Sequence, residues 1–170
     1  NNPDSLANIC RTLVLLRAYP MTVHICQTIC RQNGSHLAET AAWLIARFPH
    51  IKHFSWTYLD TFLDRVAEHP EVVPCLRQTE KHLLAAMRRL DRSGRTFRVE
   101  KVPLCYMGEF CHCSTETRAI VQGAERGVHF LDGRRSHREL RWRYKKAPVC
   151  GKCSLDSICA GLWDLGKAYD

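Results

Sequence analysis

Three cysteines near the end of the chain, Cys150, Cys153 and Cys159, follow the spacing C-x2-C-x5-C. A fourth thiol, Cys105, comes from upstream in Pro103-Leu104-Cys105-Tyr106. Four thiolates can hold either a structural zinc or an iron–sulfur cluster. A C-x2-C pair pins one metal from a single turn. A third ligand six residues on reaches the same site, and a distant fourth ties two segments together. Zinc sites often pair two C-x2-C units, and this chain has one beside Cys159. The apolar neighbours of Cys159 (Ile158, Ala160 and Leu162) suit a group shielded from water. On the residues alone both metals stay open.

Cys111-His112-Cys113 competes with Cys105 as the source of the fourth ligand, and reads as a loop beside the metal. Cys26 and Cys30 have the spacing of part of a C-x3-C-x2-C loop, but position 33 is Asn33. They read as small core hydrophobes on a strand, as does Cys10 on an apolar helix face. No H-E-x-x-H pair, G-x-S-x-G elbow or glycine-rich phosphate loop is present, which argues against catalytic zinc, a serine nucleophile and nucleotide cradling. His36, His82 and His112 stand singly.

Composition sets the frame. The 170 residues are 45% hydrophobic and 25% charged, enough for a sizeable core in one large or two small domains. No apolar run of about 18 residues offers a membrane span. No basic-then-apolar segment opens the chain, so its ten cysteines read as reduced thiols in a cytoplasm. The net charge of +8 permits an anionic partner without demanding one. Arg134, Arg135, His137, Arg138, Arg141, Arg143, Lys145 and Lys146 surround Trp142 and Tyr144. A zinc module whose basic aromatic stretch grips nucleic acid or an anionic peptide is therefore the alternative reading. A charge run is more commonly a solvated face, so nucleic acid is not the expected partner.

The elements that must position the cysteines follow from periodicity. Asn2-Pro3-Asp4 reads as a capped helix start, and Leu6, Ile9, Cys10, Leu13 and Leu16 repeat at helical spacing. Residues Met21 to Ile29 read as a buried strand. Asn33-Gly34-Ser35 reads as a turn and cap before a helix carrying Leu37, Ala41, Leu44, Ile45 and Phe48. A second strand covers Ile51 to Leu59, with His53, Ser55 and Thr57 on one face and Phe54, Trp56 and Tyr58 on the other. A partly acidic connection, Asp60 to Pro74, leads to a helix with Leu76, Leu83, Leu84, Met87 and Leu90 on one face. Phe97 to Val102 then reads as a strand running into Cys105. The alternation predicts an α/β fold with parallel βαβ units. The texture changes near residue 100. Beyond it lie a short strand from Val128, the basic run from Arg134 to Lys146, the cysteines, and a terminal helix from Leu162 to Tyr169.

This order, with strands MTVHICQTI and IKHFSWTYL, then Pro-Leu-Cys and C-x2-C-x5-C, resembles the C-terminal half of a radical S-adenosylmethionine (radical SAM) enzyme. It is similar to members with an auxiliary-cluster domain of the SPASM or twitch type. The resemblance implies a fold. Residues 1–100 would be the last βα units of a partial (βα)6 barrel, and 101–170 a small Cys-rich α+β domain. It also implies a [4Fe–4S] cluster on Cys105, Cys150, Cys153 and Cys159. The barrel's polar strand residues His53, Ser55 and Thr57, with Gln27 and Asn33 at the end of the first strand, would line the cavity for S-adenosylmethionine and a small-molecule or peptide substrate. A 5′-deoxyadenosyl radical would abstract hydrogen there. Two family elements do not occur in this sequence: the C-x3-C-x2-C loop and the glycine-rich segment that touches S-adenosylmethionine. The chain therefore reads as a fragment, inactive alone, whose partner is the remaining N-terminal part of the same barrel. The fuller SPASM pattern has a further cysteine where this chain has Trp163, so one auxiliary cluster is expected.

Overall fold

A computed structural model of the chain describes residues 3–61, 64–129, 136–139 and 144–162. Helix α1 (Ser5–Leu16), strand β1 (Val23–Ile29), helix α2 (Leu37–Arg47) and strand β2 (Ile51–Tyr58) come first. A short helix α3 (Asp64–Glu68), the long α4 (Leu76–Arg92) and strand β3 (Thr96–Glu100) follow. Beyond these lie tight 3-10 turns at Leu104–Tyr106 and Gly108–Cys113, helix α5 (Thr115–Gln122), the pair β4 (Arg126–His129) and β5 (Ser136–Glu139), and a turn at Pro148–Lys152.

Strands β1, β2 and β3 form one parallel sheet in that order, as the alternation of helix and strand predicts. The register explains the two faces. Gln27 pairs with Trp56 and Ile25 with Phe54, and Trp56 in turn pairs with Val99. This face carries Phe54, Trp56 and Tyr58, each at most 2% exposed, and receives Leu37, Ala41 and Leu44 of α2 and Leu76, Leu83, Met87 and Leu90 of α4. The opposite face carries His24, Cys26 and Thr28 of β1, His53, Ser55 and Thr57 of β2, and Thr96, Arg98 and Glu100 of β3. Parallel sheets are ordinarily covered on both faces by apolar layers. Here one face is apolar and helix-packed, and the other is a polar ladder.

Several boundaries differ from the sequence reading, for local reasons. Strand β1 starts at Val23, because Tyr19 to Met21 closes a turn through the Met21 N–H to Tyr19 carbonyl bond (2.8 Å). The first residue of α1 follows Asp4, which makes no side-chain cap. His36, not Asn33, precedes α2. The connection from Asp60 to Pro74 is folded: it holds α3 and a turn at Pro70–Val72, and the Tyr58 hydroxyl donates to the Pro74 carbonyl. Strand β3 ends at Glu100, because Lys101 turns left-handed (φ 61°). Cys26 lies exposed on the polar face rather than in the core, because it pairs with Ser55 and not with an apolar position. Of the expected strand from Val128, only Val128 and His129 fall within β4 and its described continuation, while Phe130 to Gly133 lie outside the described residues. The terminal helix expected from Leu162 likewise lies outside them beyond Leu162.

The core runs on past residue 100, where Val102, Leu104, Met107 and Phe110 join it. Phe97 and Phe110 meet edge to face at 5.4 Å. Among the described residues, no helix is long and apolar enough to cross a membrane.

The burial pattern gives a direct test. Leu83 on α4 is 1% exposed, whereas Leu6 on α1 is 62% exposed. Leu83→Ala should lower the unfolding free energy by about 2–5 kcal/mol, and Leu6→Ala should stay within about 0.5 kcal/mol of the parent. Urea unfolding of both variants checks the contrast, and equal effects would contradict the assigned core.

Candidate functional site

Four cysteines predicted from spacing surround one cavity of about 460 Å3. They are Cys105 from the turn after β3, and Cys150, Cys153 and Cys159 from the C-terminal segment. The remaining wall is largely apolar, with Pro103, Leu104, Val149, Leu155 and Leu162. Cys105 and Cys153 are exposed, Cys150 and Cys159 half-buried. The Cys105 thiol is held above the ordinary thiol range, first by burial and next by Cys159, with Cys150 and Cys153 adding in the same direction. Those three thiols are therefore its electrostatic neighbours.

The competing cysteines separate by position. Burial raises the Cys111 thiol, and Cys159 and Cys153 add to the rise. Its Sγ also faces the Gly108 carbonyl at 3.1 Å. Cys113 has other surroundings: burial raises it, with Asp91 acting in the same direction and Arg118 against. Cys111 thus borders the group of four, and Cys113 sits apart from it. Among the described residues, no three His, Cys, Asp or Glu side chains form a group that could hold a single metal ion. A tetrahedral zinc with bonds of about 2.3 Å would need its sulfurs within about 3.8 Å of one another. The four cysteines share a cavity rather than such a close knot.

The segment that carries these cysteines is held by protein contacts. The Pro148–Lys152 turn closes with Cys150 N–H on the Ala147 carbonyl (2.9 Å), and Cys153 N–H follows on Cys150 (2.9 Å). Lys146 Nζ donates to both the carbonyl and Oδ1 of Asp156, each at 2.7 Å. Tyr144 N–H bonds the Ala160 carbonyl, and Lys145 bridges to Leu162. Gly161 is required where the strands cross: its φ is +94°, and a Cβ would strike the Lys145 carbonyl oxygen. Its N–H donates to Cys159 Sγ at 3.3 Å. Lys145, Lys146 and Tyr144 of the basic run are thus placed in the cysteine segment itself. Arg134, Arg135, Arg141, Trp142 and Arg143 lie outside the described residues.

Helix α5 docks this segment on the sheet. Ser114 caps it by accepting the Thr117 N–H (3.2 Å), and Thr117 Oγ1 donates to the Ile158 carbonyl (3.0 Å). Glu116, 4% exposed, accepts the Lys101 N–H on Oε1 (2.8 Å). Lys101 Nζ pairs with Asp60 Oδ2 at 2.7 Å. Glu116, Lys101, Asp60 and Thr117 escaped the sequence reading. The one available signal was Ser114-Thr115-Glu116-Thr117, a cap followed by a first-turn acid.

The five strand-associated candidates divide. His53, Ser55 and Thr57 stand on the polar face. His53 Nδ1 and Thr96 Oγ1 are 2.8 Å apart, its ring lies 4.8 Å from that of His24, and its pKa is lowered by burial, then His24, then Arg98. Thr57 Oγ1 donates to Glu100 Oε2 at 3.2 Å. Gln27 is on the other face, where its Oε1 accepts the Trp56 indole N–H (3.0 Å). Asn33 is engaged in its own turn: Oδ1 accepts the Cys30 N–H (2.9 Å), and Nδ2 donates to the Thr28 carbonyl (2.8 Å).

Comparisons with protein-family models, with curated proteins and with solved structures give no match to this chain.

Glu116 supplies a pH test of the junction. Its carboxyl is held above the usual range, chiefly by burial. The folded state therefore keeps this proton more tightly than the unfolded chain. Its stability contribution is fullest below the unfolded value of about 4.3 and is lost as pH rises through the folded pKa. Glu116→Gln removes the titration, so the stability difference between parent and variant should change with pH over that interval. Urea unfolding across a pH series checks it, and a constant difference would contradict the burial.

Proposed function

We propose that this chain is the C-terminal part of a radical SAM enzyme, and that Cys105, Cys150, Cys153 and Cys159 hold one auxiliary [4Fe–4S] cluster. The observation that carries the reading is the shared cavity: cysteines at positions 105 and 150–159 line the same largely apolar space. The donor set fits the group, because a cluster spreads four thiolates round a body larger than one ion, beside a largely apolar wall. When bound, such a cluster would supply one-electron chemistry.

The chain's own residues have defined tasks in this reading. The four thiols give up their protons and orient the group. Leu104, Leu155 and Leu162 exclude water. Lys146 and Gly161 fix the backbone that carries Cys150 to Cys159. The polar ladder His53, Ser55 and Thr57 faces the cavity of the completed barrel, beside its substrate and S-adenosylmethionine. A polar face on a parallel sheet is what a ligand-lined interior needs and a packed layer does not. Gln27 and Asn33 serve the scaffold, through Trp56 and the Cys30 turn. The substrate is a peptide or small molecule.

Metal and sulfide analysis of anaerobically reconstituted chain tests the proposal. About four irons and four sulfides per chain are expected, with a broad visible band lost on reduction. Cys105→Ser and Cys153→Ser should each lose most of that iron, and Cys113→Ser should keep it. One tightly held zinc without sulfide would overturn the iron–sulfur assignment in favour of a zinc module. Equal iron in the Cys153 variant would overturn the ligand set.

A further inference from the structure

A second cavity, of about 420 Å3, opens where the loop after β1 meets the start of α4. Arg31, Arg77, Lys81 and His82 stand around it, with Ser35 and Gln78. No aspartate or glutamate lines it. Among the described residues, no carboxylate forms an ion pair with Arg77, Lys81 or His82. Arg31 spends Nε on the Val73 carbonyl (3.3 Å), which fixes its side chain. Solvated surfaces usually intersperse both signs of charge, so three permanent cations and a histidine round one hollow call for an anion.

The fold brings them together through a close approach. A Cβ on Gly34 would stand 3.1 Å from Thr79 Oγ1 and 3.2 Å from the Cys30 carbonyl oxygen. The bare glycine lets the loop that carries Arg31 lie against the helix that carries Arg77 and Lys81. The hollow lies beyond the carboxyl end of β1, the end at which open α/β sheets take ligands.

We propose that this cavity binds the phosphoryl group of a small phosphorylated molecule, with Arg31, Arg77 and Lys81 as its charge partners and Ser35 and His82 as hydrogen-bonding groups. Guanidinium groups meet phosphate oxygens in pairs, and lysine adds a point charge. A carboxylate has too few oxygens and too little charge to engage all three cations. The hollow is larger than a phosphate ion and within the usual span of small-molecule sites, about 300–1,000 Å3, so the body of the ligand has room. Arg31, Arg77 and Lys81 are exposed, which leaves entry from solvent open. No residue lines both this hollow and the cysteine cavity, so the site stands or falls apart from the iron–sulfur reading.

The test is a titration of the whole chain with inorganic phosphate, with acetate, and with chloride at matched ionic strength. NMR follows the His82 ring and the amides of Arg77 and Gln78. Saturable shifts with phosphate, at least about ten-fold weaker with acetate and absent with chloride, are expected from multidentate charge pairing. The exposed pair Arg77→Gln and Lys81→Gln, made together, should weaken phosphate binding by at least about ten-fold while leaving distant amides in place. If that variant does not fold, Arg31→Gln is read in the same titration, with a loss again expected. Shifts that track ionic strength alone, acetate as tight as phosphate, or a folded variant that binds phosphate like the parent would each overturn the proposal.

Discussion

The chain leaves the sheet through a left-handed turn at Lys101, and the position of everything that follows depends on that turn. A left-handed backbone at a non-glycine residue costs about 1–3 kcal/mol. A single hydrogen bond contributes about 0.5–1.5 kcal/mol net, so one alone does not secure the turn. The Lys101 N–H reaches the buried Glu116, and its ammonium reaches Asp60. The first ties the turn to α5, the second to the end of β2. The chain direction set there carries Pro103 and Leu104 into the core and leaves Cys105 on the cavity wall. Thr117, one residue beyond Glu116, then holds Ile158 and with it the other three cysteines.

The sheet presents the complementary constraint. Its apolar face is filled by α2 and α4 with aromatic and aliphatic side chains, and the single polar insertion, Gln27, is satisfied by the Trp56 indole. A buried indole N–H without a partner would be costly, so Gln27 belongs to folding energetics. On the other face burial, then His24 and Arg98, lower the His53 pKa.

Much of this was legible in the sequence, and the reasons are particular. Phe54, Trp56 and Tyr58 alternate with His53, Ser55 and Thr57, and a period of two assigns faces without knowledge of the partner strands. Leu76, Leu83, Met87 and Leu90 mark the buried stripe of α4 by the same logic at the helical period. Spacing alone also grouped Cys105 with Cys150, Cys153 and Cys159, which share a cavity. What spacing could not give was the partner of Gln27, because its bond from Trp56 depends on register with β2. It could not give the work of Asn33 either, since an asparagine before a helix can cap the helix or brace the preceding turn. Lys101, Asp60 and Glu116 meet across 15 and 41 residues of chain, and no local pattern announces such pairings.

The cysteine segment is anchored before any inorganic group is considered. Lys146 on Asp156, Tyr144 on Ala160 and Lys145 against Leu162 fold residues 144–162 on themselves, and Thr117 on Ile158 fastens them to α5. Cys105 and Cys150, 45 positions apart in sequence, therefore bound a loop closed by ordinary protein contacts. Closing a loop of that length has an entropic cost that grows only with the logarithm of its length. Because that cost is met by folding, a group bound by the four sulfurs would meet a cavity already formed. Its affinity would then report chemistry at the sulfurs rather than the ordering of a tail, and its removal would leave a hollow in a standing wall rather than an unravelled end.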